Sequence, residues 1–132
     1  MYLIDTSIWI DYFREVKNAS TQRFSSILEQ NIPFGITSII YQEILQGAAT
    51  EYDFNQLKEY LITQRFFQPK DEVLTYESAA KLFYSCRRKG ITLRSSIDCL
   101  IAQIAIEHNL ILLHHDQDYP RIRSVVPELQ LD

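Results

Sequence analysis

Glycine and proline are scarce in this chain, three and four residues among 132. That excludes a collagen-like or low-complexity flexible polymer. Cysteine is nearly absent: Cys86 and Cys99 each sit inside a helix-like pattern, without metal-ligand spacing. Both read as small apolar core residues, and no disulfide framework is expected. No apolar run approaches the ~18 residues that span a bilayer, so no membrane segment is expected. The N-terminus has no basic region ahead of an apolar stretch, so it does not read as a secretory signal. The expected compartment is the cytoplasm, where Asn18-Ala19-Ser20 is a chance sequon. Positive charge is also short, 13 Lys and Arg against 17 Asp and Glu, a net charge of −4. This argues against holding nucleic acid on a broad basic face. It leaves open a cluster of acids that binds cations at one point.

What is present is ordinary for a globular protein: 46% hydrophobic and 23% charged residues. A chain of 132 residues fits one domain, 1–132, with a real core. Tyr2–Ile4 read as a short buried strand, and Ser7 to about Arg14 as a helix with Trp9, Tyr12 and Phe13 at i, i+3, i+4. A second helix is expected over Thr21–Gln30, capped by Ser20. Pro33–Thr37 reads as a strand, and Ser38 as the cap of a helix reaching about Gly47. Glu51–Thr63 is helical, Arg65–Phe67 a possible short strand, and Val73–Lys89 a long helix stopped by Gly90. Ser95–Glu107 is a strongly apolar helix, Leu110–His114 a strand, and Pro120–Val125 a last helical turn. Glu128–Leu131 reads as an edge strand. Strands alternating with helices imply parallel β-α-β units and an α/β sheet covered on both faces. Ligands of such folds bind at the carboxyl ends of the strands.

That rule singles out the acids. Asp5 ends the first strand, and Asp116 and Asp118 follow the strand Leu110–His114. Asp98 lies in the first turn of an apolar helix, and Glu43 lies mid-helix among Ile39, Ile40 and Ile44. Each has a plainer explanation. Asp5 can cap the first helix, Asp98 can close an S-x-x-D capping box from Ser95, and Asp116 and Asp118 can form turns. Glu43 has the weakest such explanation, because an unpaired carboxylate among isoleucines is costly to bury. Converging carboxylates are tolerated only when protonated or bridged by a cation. An all-oxygen cluster suits Mg²⁺ or Mn²⁺ better than Zn²⁺, and such ions activate water for attack on a phosphodiester.

The stretches LIDTSIWIDYF, SIIYQEILQGA, RSSIDCLIAQIAIE and LLHHDQDYPRI, in this order, resemble the PIN-domain ribonucleases, specifically the toxin subunits of VapBC-type toxin–antitoxin modules. The resemblance implies a three-layer α/β/α fold with a central, mostly parallel sheet of four to five short strands. It implies a metal-dependent endoribonuclease that cuts transfer or ribosomal RNA, leaving 5′-phosphate and 3′-hydroxyl ends. It assigns Asp5, Glu43, Asp98 and Asp116 as catalytic metal ligands and Asp118 as an accessory one. Thr6 matches the small hydroxyl residue that often follows the first aspartate, and Ser95 a recurrent serine before the third. It further implies a homodimer and a cognate antitoxin covering the active-site groove. Arg94, beside the Ser95–Asp98 turn, is a candidate phosphate contact, with Arg121 and Arg123 extending the track. His114 and His115 receive no role.

Other readings compete. One is a PIN-type RNA-processing nuclease without an antitoxin, which shares the chemistry. A haloacid-dehalogenase-like enzyme needs D-x-D after its first strand, whereas Thr6 and Ser7 follow Asp5. A receiver domain needs a lysine after a late strand, where this chain has His115 and Asp116. A non-enzymatic interaction domain whose acids only cap helices predicts no metal binding.

Overall fold

The computed structural model describes residues 1–132. Strand β1, Tyr2–Ile4, is buried along its whole length, as expected of a strand covered on both faces. It is followed by α1 (Thr6–Phe13), α2 (Ala19–Glu29), β2 (Phe34–Gly35), α3 (Ser38–Gln46) and α4 (Glu51–Leu61). The second half comprises α5 (Leu74–Arg88), α6 (Ile97–Glu107), β3 (Ile111–Leu113), α7 (Asp118–Val125) and β4 (Gln130–Leu131). The four strands form one sheet in the order β2-β1-β3-β4, and every pairing is parallel. The helices pack as two groups, α1 to α4 and α5 to α7, with α3 and α6 meeting between them. This is the three-layer α/β/α arrangement. Arg65–Phe67 contributes a single parallel bridge, Ile36 to Phe66, rather than a strand.

Strand order decides where the site lies. The chain leaves β1 toward β2 on one side and returns as β3 on the other, so β1 and β3 flank the point where the order reverses. Their register pairs Ile4 with Leu113, and the Asp5 amide donates to the Leu113 carbonyl at 3.0 Å. The loops after both strands therefore open on the same edge.

Local chemistry sets the helix starts, and three caps differ from expectation. Helix α2 is capped by Asn18, not Ser20: Asn18 Oδ1 accepts from the Thr21 amide, and Thr21 Oγ1 accepts from the Asn18 amide. Asn18 Nδ2 also donates to Asp11, so the side chain of the sequon is fully engaged. Helix α3 is capped by Thr37 rather than Ser38, through the Ile40 amide. The expected Ser95–Asp98 capping box does not form; Ser95 Oγ accepts from the Ile97 amide instead. At the far end of α5, Gly90 takes φ +75° just past the cap, a conformation that suits glycine. Arg87 and Arg88 occupy that helix's last turn, the favourable end of its dipole.

The core also settles the aromatic face of α1. Ile8 and Trp9 are fully buried, while Ile10, Tyr12 and Phe13 are half-buried. Trp9 packs among Phe13, Phe24, Phe34 and Tyr60, which ties α1, α2, β2 and α4 together. Cys86 and Cys99 are buried free thiols, and burial foremost pushes Cys99 up to about 12, so it is chemically quiet.

Candidate active site

Five carboxylates gather at the carboxyl edge of the sheet, each delivered by a different constraint. Asp5 follows β1 directly and caps α1, so the capping explanation holds, and the cap lies at this edge of the sheet. Its Oδ2 accepts from the Ser7 amide at 3.1 Å and the Ser7 hydroxyl at 2.6 Å. Its Oδ1 accepts from the Tyr119 hydroxyl at 2.7 Å. Helix α3 runs beside α1, and the Thr6 hydroxyl donates to Glu43 Oε1 at 2.8 Å. Asp98 comes from the first turn of α6, with Oδ1 3.4 Å from the same Tyr119 hydroxyl.

Asp116 comes from the loop between β3 and α7, and Asp118 is the first residue of α7. One oxygen each of Asp98, Asp116 and Asp118 lie within 4.8 Å of one another. Asp116 Oδ1 accepts from the Arg94 guanidinium at 2.7 Å and from the Asp118 amide at 2.9 Å. Asp118 is completely buried; it accepts from the Arg94 amide at 2.9 Å and from Arg121 at 3.2 Å. Arg121 is thus paired with Asp118, with nearly half of its side chain exposed. Arg123 departs from the expected phosphate track: it lines a surface pocket with Ile111 and Leu129, toward the other end of β3.

The electrostatics follow from this crowding. Burial foremost, then Asp116, Asp5, Asp118 and Glu43, raise Asp98 to about 7. Burial foremost also raises Glu43, with Asp5 adding and the Thr6 hydrogen bond opposing. The cations present, Arg94 and Arg121, pair with Asp116 and Asp118 only; Asp5, Glu43 and Asp98 have no ion-pair partner. A hard, all-oxygen donor set carrying unbalanced negative charge fits a divalent cation of the Mg²⁺ or Mn²⁺ type.

Two contributors escape sequence reading. Tyr119 and Ser7 hold the opposite oxygens of Asp5, and Ser7 Oγ also accepts from the His115 amide at 3.0 Å. Both are single hydroxyls inside ordinary helical patterns; the one available signal is their adjacency to Asp5 and Asp118. The His114 ring lies tilted against Tyr119, centroids 5.1 Å apart, and burial foremost lowers its pKa.

The family model described as PIN domain matches residues 2–125. VapC ribonuclease Mb1587 of Mycobacterium bovis and ribonuclease VapC11 of Mycobacterium tuberculosis are each 33% identical over 126 residues, covering 95% of this chain and 93% of theirs. Among solved structures, VapBC2 of Rickettsia felis bound to promoter DNA superposes with a TM-score of 0.75 at 22% identity, covering 99% of this chain and 96% of that one. VapBC-1 of nontypeable Haemophilus influenzae gives a TM-score of 0.70 at 22% identity, with the same 99% and 96% coverage. These solved structures share the fold, and the identity to the mycobacterial proteins places the chain more closely: it belongs to the PIN-domain family, among the VapC ribonucleases.

Proposed function

We propose that this chain is a metal-dependent endoribonuclease, the toxin of a toxin–antitoxin pair, and that Asp5, Glu43, Asp98 and Asp116 hold Mg²⁺ or Mn²⁺. The observation that carries the reading is the meeting of Asp5 and Asp98 at the Tyr119 hydroxyl, with Asp116 and Asp118 within 4.8 Å of Asp98, the charge of Glu43 acting on it, and no ion pair to Asp5, Glu43 or Asp98. When bound, the ion supplies a water of lowered pKa and positive charge beside the scissile phosphate.

The protein's own residues do the positioning. Ser7 and Tyr119 fix both oxygens of Asp5, and Thr6 fixes Glu43. Preset ligands spend no ordering entropy when the substrate arrives. Arg94 is two-thirds exposed and hinged at an anchored backbone, so its guanidinium can leave Asp116 for a phosphate oxygen. Ser95 secures the turn between Arg94 and Asp98 through the Ile97 amide. Asp118, tied to Arg94 and Arg121, holds the loop carrying Asp116 and serves as an accessory acid.

Family membership supports transfer or ribosomal RNA as the substrate. The names of the VapBC structures support a cognate antitoxin as partner; its lying over this edge of the sheet, and a homodimer as the working unit, follow from the family resemblance. No helix is long and apolar enough to cross a membrane, and the two thiols are unpaired, which suits a cytoplasmic enzyme. The test is cleavage of purified transfer and ribosomal RNA with Mg²⁺ or Mn²⁺, against EDTA and a folded Asp5→Asn variant. Metal-dependent cutting that the variant loses supports the reading. Equal cutting by the variant, or no loss with EDTA, contradicts it.

A further inference from the structure

Tyr119 is the one fully buried side chain that reaches into the acid cluster without being acidic. It lies on the inward face of α7 with Ile122, three residues apart, and both are completely buried. A phenylalanine would satisfy that packing. The hydroxyl is therefore the informative atom, since a buried phenol needs an acceptor. Its hydrogen-bond partners are Asp5 Oδ1 at 2.7 Å and Asp98 Oδ1 at 3.4 Å, and it has no backbone carbonyl partner.

We propose that Tyr119 is a positioning residue for the cation site, its hydroxyl locking Asp5 in the orientation that binds metal and setting the gap between Asp5 and Asp98. This rests on the reading of Asp5 and Asp98 as metal ligands. Three features support it. Ser7 donates to Oδ2 from the amide and hydroxyl, so Tyr119 alone restrains the Oδ1 side and the carboxylate cannot rotate. Oδ2 already accepts two hydrogen bonds, so the lone pair left free for a cation is on Oδ1, the oxygen that Tyr119 holds. The phenol is completely buried, so water does not compete for its hydrogen and the donation to Asp5 is kept. Groups that hydrogen-bond to metal ligands typically govern affinity by ten- to a hundredfold.

Tyr2 provides the comparison. Its hydroxyl also donates to an aspartate, Asp132 at 2.8 Å, in an ion-pair network with Arg23 that contains none of the five site acids. The experiment is calorimetric titration of Mn²⁺ into wild type, Tyr119→Phe, Tyr2→Phe and Asp5→Asn, each checked by circular dichroism and thermal melting. The expected result is a dissociation constant raised roughly tenfold in Tyr119→Phe and unchanged in Tyr2→Phe. In RNA cleavage, the same variant should lower kcat with KM for RNA unchanged. Wild-type affinity in folded Tyr119→Phe would overturn the inference while leaving Asp5 as a ligand. No Mn²⁺ binding by wild type, or unchanged binding by Asp5→Asn, would overturn the metal-site reading itself. Should Tyr119→Phe melt below the assay temperature, Tyr119→Met removes the donor with an adaptable apolar filler and is judged by the same two outcomes.

Discussion

The guanidinium of Arg94 lies 2.7 Å from Asp116 Oδ1, while its backbone amide donates to Asp118 at 2.9 Å. One residue thus anchors the acidic loop through its main chain and neutralises it through a side chain that solvent reaches. The two contacts have opposite consequences for a metal enzyme. The amide bond holds the ligands in place, whereas the guanidinium competes with any cation for Asp116.

Replacing Arg94 should separate those effects. Arg94→Ala keeps the amide bond to Asp118 and removes the competitor, so Mn²⁺ binding should tighten, by a few-fold. RNA cleavage should fall by roughly tenfold or more, the weight of a lost hydrogen bond to a charged phosphate. Calorimetry and initial rates on the same preparation read the two signs; weaker metal binding would show that Arg94 organises the site rather than competing in it.

Asp98 makes the site sensitive to pH. Its folded pKa, about 7, lies above the 3.8 of an unfolded aspartate. Between those values the folded chain binds more protons than the unfolded one, so stability falls as pH rises through that window. Without added metal, the Asp98 contribution should therefore favour pH 5 over pH 7.5, and Asp98→Asn should flatten that slope. Mn²⁺ should raise the melting temperature more at pH 7.5 than at pH 5.5, because protons compete for the same oxygens. Melting curves with and without Mn²⁺ check both statements.

Asp118 and Asp116 should part company in stability. Asp118 is completely buried and paired with Arg121 and Arg94, so Asp118→Ala strands their donors at the loop. The expected loss is roughly 2–3 kcal/mol, below that of a wholly buried ion pair because both arginines reach water. Asp116→Ala should melt close to wild type yet lose metal binding. Urea denaturation of the two variants distinguishes a loop-holding acid from a ligand.

Gly35 supplies a test of the fold behind the site. A Cβ there would lie 2.5 Å from the Arg65 carbonyl oxygen and 2.6 Å from the Phe67 ring. Gly35→Ala should cost about 1–3 kcal/mol by overpacking. Since β2 leads directly into α3, which carries Glu43, metal affinity should drop with it. Urea denaturation and Mn²⁺ titration measure the two losses together.

The same glycine shows where sequence patterns end. Pro33–Thr37 reads as one strand, yet β2 pairs with β1 only at Phe34 and Gly35, because the Ile36 amide and carbonyl bond Arg65 and Phe67 instead. The helices were legible from apolar spacing, and the parallel sheet from short buried strands between them. The rule about strand ends pointed to Asp5 and Asp116, whereas Asp98 and Glu43 stood out as carboxylates set in apolar helices. The hydroxyls of Ser7 and Tyr119 were not legible, since each is one atom with no periodic signature. Nor was the pairing of Arg121 with Asp118, which depends on α7 beginning at Asp118 rather than at Pro120. The choice of Asn18 and Thr37 over neighbouring serines as caps turns on helix starts one or two residues away, below the resolution of any pattern.

In the proposed site Asp5, Glu43, Asp98 and Asp116 share a divalent cation. Crystals grown with Mn²⁺, measured at a wavelength that brings out its anomalous scattering, would locate that ion. A peak is expected about 2.2 Å from oxygens of Asp5 and at least two of Glu43, Asp98 and Asp116, with the Arg94 guanidinium displaced from Asp116. A map with no peak at this edge of the sheet, at an Mn²⁺ concentration that saturates cleavage, would contradict it.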